Sequence, residues 1–185
     1  ACLVGSEMCI RDSRMVGQGM HGFVGNNKDV KNIDEELTHP TDVRIFAIAA
    51  AFDQGYSVEK IHEMTKIDNW FLERLENIHK LKNELSKYTT VRGVTPAMLK
   101  KAKQMGFSDF QIGRFTIKDT TLTAHQKMLK VREYRKELGI VPCIKQIDTL
   151  AGEYPAKTNY LYATYNGSET DITYERDGRL SLIHI

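Results

Sequence analysis

Apolar residues recur along most of this chain at helical spacing, and residues suited to capping mark where each run begins. Pro40, Thr41 and Asp42 supply start signals for a helix with Val43, Phe46 and Ala50 on one flank and Ile45, Ile48, Ala49 and Phe52 on the other. A helix with so little polar face is buried on most sides, and Gly55 is placed to end it. Ser57 then caps a short helix carrying Val58, Ile61 and Met64, and Asp68 caps a long one carrying Phe71, Leu72, Leu75, Ile78 and Leu85. Between Lys87 and Thr95 the pattern breaks. Thr95 and Pro96 open a further helix through Leu99, Ala102 and Met105 to Gly106, Ser108 caps another short one, and a last long helix runs from about Thr123 to Leu138, stopped by Gly139.

Within these helices lies an internal echo. Gly55, Tyr56, Ser57 and Ile61 are matched by Gly106, Phe107, Ser108 and Ile112, each 51 residues later. In both places a glycine stop leads to a short capped helix and then a longer one, which reads as a duplicated helix-turn-helix unit. Past Gly139 the period becomes extended: Tyr160, Tyr162 and Thr164 would face one way in a strand, and Leu161, Ala163 and Tyr165 the other. Asn166 and Gly167 give a turn signal, after which Asp171 to Tyr174 could extend again. Upstream of the first helix, Arg14 to Thr38 is rich in glycine and asparagine and then turns acidic, which reads as a linker or the tail of a preceding domain. The fold class expected is mainly α, a compact multi-helix domain with an extended C-terminal arm and one or two short strands.

Composition narrows the function classes. At 185 residues, 41% apolar and 27% charged, the chain can bury a sizeable core. No stretch approaches the eighteen or so apolar residues that a membrane helix requires, so a cytoplasmic protein is expected. A net charge of +2 argues against a dedicated nucleic-acid surface. Of three cysteines, Cys2 and Cys9 fall in an irregular leader, which leaves Cys143 with no disulfide partner and no cysteine zinc site.

Candidate chemistry is sparse. Gly17, Gly19 and Gly22 spell G-x-G-x-x-G, but no buried strand precedes them and Phe23 to Lys28 offers no helical stripe, so no dinucleotide site is expected. His62, His79 and His125 lack a second ligand at metal spacing, and His62 beside Glu63 reads as solvated helix face. Cys143, between Pro142 and Ile144, reads as a buried structural thiol, and Trp70 and Phe71 as core aromatics. No catalytic, cofactor-binding or metal residue is assigned. The polar residues Lys145, Asp148, Thr149, Glu153 and Thr158, with Tyr160, are framed by Ile144, Ile147 and Leu150 in an arm suited to lie across another surface. These six are the candidate interdomain contacts.

Three blocks in order carry a resemblance: ELTHPTDVRIFAIAAAFDQGYSVEKIHEMTKIDNWFLERL from Glu36, KQMGFSDFQIGRF from Lys103, and IVPCIKQIDTLAGEYPAKTNYLYATYNG from Ile140. Together they resemble the central helical region of the carbamoyl-phosphate synthetase large subunit and its exit into the second catalytic half, across roughly Arg14 to Gly178. The two ends, ACLVGSEMCIRDS and RLSLIHI, resemble translated sequencing adaptor and are set aside. The expected organisation is leader 1–13, tail of a preceding domain and linker 14–39, helical oligomerisation-type domain 40–139, arm 140–178 and foreign tail 179–185.

That resemblance implies a parent ligase making carbamoyl phosphate from bicarbonate, ammonia and two ATP. Each nucleotide-binding half would use one ATP with magnesium or manganese, and a glutamine amidotransferase subunit or domain would supply the ammonia. This piece would hold the two halves apart and self-associate. It would bind no cofactor, nucleic acid or membrane itself, and the family's phosphate-cradling and metal-binding motifs are absent from it. The alternative is a nucleic-acid-binding helix-turn-helix, since SVEKIHEMTKIDNWFLERL has the length and the turn, and KVREYRKELG adds basic residues. A recognition helix, however, presents Arg, Lys, Asn or Gln at its start, where this one has Trp70 and Phe71.

Overall fold

The computed structural model describes residues 22–24, 30–147 and 160–172, and the chain divides into two compact units, Ala1–Leu138 and Gly139–Ile185. The first unit is helical. Its helices are α1 (Ile33–Thr38), α2 (Arg44–Asp53), α3 (Val58–Thr65), α4 (Asn69–Leu85), α5 (Pro96–Gln104), α6 (Asp109–Thr116) and α7 (Ala124–Glu137), with a 3-10 turn at Val91–Gly93. The second holds an antiparallel pair, β1 (Cys143–Gln146) and β2 (Leu161–Thr164), in the register Cys143 to Thr164 and Gln146 to Leu161. The mainly α fold with short strands is as the sequence implies.

Five helix starts follow the capping chemistry. The side chains of Ser57, Asp68, Thr95, Ser108 and Thr123 each accept a backbone N–H from the first turn they precede, and at Ser108 and Thr123 a glutamine three residues on completes a capping box. Substituting such a cap costs about 1 kcal/mol. At the start of α2 the structure differs from expectation. Thr41 donates to Glu36 Oε2 and so does not cap, and the helix starts at Arg44 behind Val43, which has no side-chain cap bond.

The stretch read as linker also contains a helix. Asn32 caps α1, which seals Leu37 in the core, and the Arg44 guanidinium donates to the carbonyls of Leu37 (2.7 Å) and Thr65 (3.1 Å). One cation thereby serves the C-terminal ends of α1 and α3, where the helix dipoles favour positive charge.

The sequence echo becomes a structural repeat. Helices α3 and α6 are both eight residues long and lie 51 positions apart. Gly55 and Gly106 adopt φ of 81° and 89°, which only glycine takes readily, and let Tyr56 N–H and Phe107 N–H reach back to Ala51 O and Ala102 O, both at 3.0 Å. Ile61 and Ile112 are fully buried, and the hydroxyls of Thr65 and Thr116 donate to their carbonyls, both at 2.7 Å. An eight-residue helix is marginal alone, so each copy depends on burying its isoleucine against its neighbours. Burial of such a side chain contributes roughly 1.5–3 kcal/mol.

Packing runs α1 on α2 and α3, α3 on α4, α2 on α4, and α6 on α7, with α4 on α6 joining the two copies. As its composition implies, α2 is buried nearly all round, at Phe46, Ala47, Ile48, Ala49, Ala51 and Phe52. The 3-10 turn fills the break after Lys87 and buries Val91, and Val94 behind it is buried too; Tyr134 Oη donates to Val94 O at 3.1 Å, fastening this connection to α7.

Candidate functional site

Two surfaces qualify, one on each unit: the start of α4 and the strand pair. Counted from the cap Asp68, Trp70 and Phe71 occupy the first turn of α4. Both were expected in the core, and both are instead exposed, at 54% and 58%. The reason is azimuthal. In that turn only Leu72 is buried, and at about 100° per residue Trp70 and Phe71 point about 200° and 100° away from it. The two rings meet edge to face with centroids 5.0 Å apart, and the Arg74 guanidinium lies 4.9 Å from the Trp70 ring centre. This geometry makes a stiff amphipathic patch.

In the second unit, Lys145 sits on β1 opposite Tyr162, and its Nζ lies 2.7 Å from Asp171 Oδ1. The hydrogen bond from Lys145, aided by the Gln146 N–H, holds the Asp171 carboxyl below the ordinary carboxylate range, and the same bond raises Lys145. Asp171 N–H donates to Ile144 O at 2.9 Å, so this residue clips onto β1 from the side away from β2. Asp171 and Ile172 form no strand. Tyr160 is exposed, and its carbonyl accepts from Ile147 N–H at 2.8 Å, extending the β1–β2 pairing. Asp148, Thr149, Glu153 and Thr158 lie outside the described residues, as do Gly17, Gly19, Thr173, Tyr174 and both adaptor-like ends. Cys143 is half-buried, and its thiol donates to Gly167 O at 3.1 Å.

Several charged and imidazole groups hold helices together. Asp109, at the start of α6, lies between Lys103 Nζ (2.9 Å) and Arg135 Nε (2.8 Å), with the three side chains 7–13% exposed. Burial would raise the Asp109 pKa, but the hydrogen bonds from both cations outweigh it and the net shift is downward. His79 is buried, stacked on Phe52, with Nε2 2.8 Å from Asp53 Oδ1, which Lys82 also engages at 2.6 Å. His62 is half-buried with Nδ1 2.6 Å from Ile67 O, not on a solvated face. These pairings join residues 26 or 29 apart or close a turn, and residue spacing alone does not reveal them.

The remaining glycine of the G-x-G-x-x-G run works in packing. Gly22 has φ 90°, an added Cβ there would lie 2.6 Å from Gln111 Nε2, and Gln111 donates to Val24 O. Those contacts dock residues 22–24 against α6. The described residues lend the nucleic-acid alternative no support. Arg135, in the basic run of α7, is buried on Asp109, and the helix after Asp68 opens with exposed aromatics. Among the described residues no helix is long and apolar enough to cross a membrane.

Residues 6–139 match the family model described as "Carbamoyl-phosphate synthetase large chain, oligomerisation domain". Among curated relatives, "Multifunctional protein pyr1-3" of Dictyostelium discoideum is 48% identical over 149 residues, which is 80% of this chain and 6% of that protein. "Multifunctional protein URA2" of Saccharomyces cerevisiae is 45% identical over 87% of the chain and 7% of its own length. The "Carbamoyl phosphate synthase arginine-specific large chain, mitochondrial" of Schizosaccharomyces pombe is 41% identical over 91% of the chain and 14% of its own. The chain thus spans a small part of the length of the curated relatives it matches, and these comparisons lend the nucleic-acid reading no support.

Proposed function

Because this chain belongs to the carbamoyl-phosphate synthetase large-chain family, which it matches through the oligomerisation domain, we propose that its helical unit is a spacer and self-association module between the two ATP-using halves of a parent synthetase. The parent makes carbamoyl phosphate from bicarbonate, ammonia and two ATP, and a glutamine amidotransferase subunit or domain provides the ammonia. ATP and its magnesium or manganese belong to the flanking halves, in the cytoplasm. Separating the halves suits chemistry in which each unstable intermediate needs its own water-excluding site. The arm from residue 140, with Lys145, Asp148, Thr149, Glu153, Thr158 and Tyr160, lies across the catalytic half that follows.

The observation that carries this reading is the family match over the helical unit, whose buried charges Asp109, Lys103 and Arg135 are engaged in joining helices. The test is a transplant. Residues 14–178 replace the matching segment of the fission-yeast arginine-specific large chain, and carbamoyl phosphate synthesis is assayed. Retained synthesis in the chimaera, with no ATP turnover by the 185-residue chain alone, is expected. Turnover by the isolated chain, or a folded but dead chimaera, overturns the reading.

A further inference from the structure

We propose that the first turns of α4, through Trp70, Phe71, Glu73 and Arg74, form the contact by which two copies of this chain associate. The proposal rests on the self-association reading above and goes beyond it by assigning the surface and its symmetry. Exposed tryptophan, held against Phe71 and Arg74, is already ordered, so little side-chain entropy remains to be lost on docking. Aromatics and arginine are the residue types most enriched at the energetic centres of interfaces.

The fold itself does not call for aromatics here. In the second copy of the repeat, the positions two and three residues after the cap Thr123 are His125 and Gln126, both exposed. They stand at the same distance from their cap as Trp70 and Phe71 do from Asp68, 55 rather than 51 residues on, and Gln126 completes the capping box there. That turn is therefore built in the second copy with polar residues, one of them a cap, while the Trp70 and Phe71 rings face outward.

Charge order favours a second copy as the occupant. Glu73 and Arg74 are adjacent and exposed, and Glu73 has no ion-pair partner among the described residues. The next charges along the helix, Glu76 and Lys80, are already paired with each other at 2.8 Å. A two-fold axis crossing α4 between Glu73 and Arg74 sets the Glu73 of each copy against the Arg74 of the other. It also lays each Trp70 over the Asn77 of the other copy, since those positions are equidistant from the axis. Such self-complementarity is what an isologous dimer requires. The face is small. A 17-residue helix about 25 Å long and 10 Å wide offers about 250 Å² per copy, well below the roughly 800 Å² of a standard interface, so the association is reversible and weak.

Sedimentation velocity of the 185-residue chain from low to several hundred micromolar tests this. Wild type is expected to show a reversible monomer–dimer equilibrium. The double variant Trp70→His, Phe71→Gln borrows the second copy's residues and so keeps a competent helix start. It should weaken the dimer by about tenfold or more with unchanged far-UV circular dichroism. Glu73→Arg and Arg74→Glu should each weaken it, and the two combined should restore it. A wild-type dimer indifferent to the aromatic variant, or a charge exchange that fails to restore affinity, overturns this assignment and leaves self-association standing. A wild-type monomer at every concentration overturns both.

Discussion

Changing Asp109 to Asn takes away the carboxylate that sits between two buried cations. The Lys103 and Arg135 side chains are 7% and 10% exposed and Asp109 13%, so solvent screens the trio little. The asparagine amide keeps one acceptor oxygen but turns its NH2 towards a donor, and it leaves two positive charges facing each other without the anion between them. Removing one partner of a buried ion pair costs about 3–5 kcal/mol. Lys103 still donates to Phe107 O at 2.8 Å, which puts the expected loss near the lower end, about 3 kcal/mol. Against a typical stability of about 5–15 kcal/mol, that is a large fraction. Urea unfolding followed by circular dichroism at neutral pH measures it, with the midpoint falling and the slope unchanged.

Acid supplies an internal control. The folded pKa of Asp109 lies below its ordinary 3.8, so as pH falls the unfolded chain takes up this proton first. The stabilisation is fully present above the unfolded value and disappears as pH drops through the folded one. Wild type and Asp109→Asn should therefore converge in acid. A gap below about 1 kcal/mol at neutral pH, or one that stays constant far below the unfolded pKa, would refute the ion-network account.

Three further outcomes are expected. Ile61→Ala and Ile112→Ala, at equivalent fully buried positions of the two repeat copies, should each cost about 2–5 kcal/mol in the same unfolding assay, and a large loss at only one of them would argue against equivalent copies. Asp171→Asn should loosen the clip onto β1, seen as faster exchange of the Gln146 amide with no shift in the helical unfolding midpoint. Because the Asp171 pKa is lowered by Lys145, the wild-type clip should persist above the ordinary carboxylate value and open as pH falls through the folded one.

What the amino-acid order revealed, and what it concealed, divides by sequence distance. Ser57, Asp68, Thr95, Ser108 and Thr123 were readable as caps because each accepts from a backbone N–H two or three residues away. The repeat was readable because it recurs at one fixed offset. Helix α1 escaped notice because six residues with a single buried leucine show no period. Thr41 looked like a cap until Glu36 claimed its hydroxyl. Arg135 looked like basic surface because its partner Asp109 lies 26 residues upstream on another helix. Trp70 and Phe71 are exposed against expectation because a period identifies an apolar face but not how far neighbouring helices extend to cover it. The clip on Lys145 was hidden likewise, since Asp171 is 26 residues away. The family resemblance rests on three blocks in order, two of them helical and one, Ile140 to Gly167, irregular.

If, as proposed, the helical unit spaces and associates and leaves the chemistry to its neighbours, its mass in solution depends on concentration. Sedimentation equilibrium on the intact chain tests this most directly. A weight-average mass that climbs from one chain towards two with concentration, and returns on dilution, is the predicted result. The mass of a single chain at every concentration would contradict it.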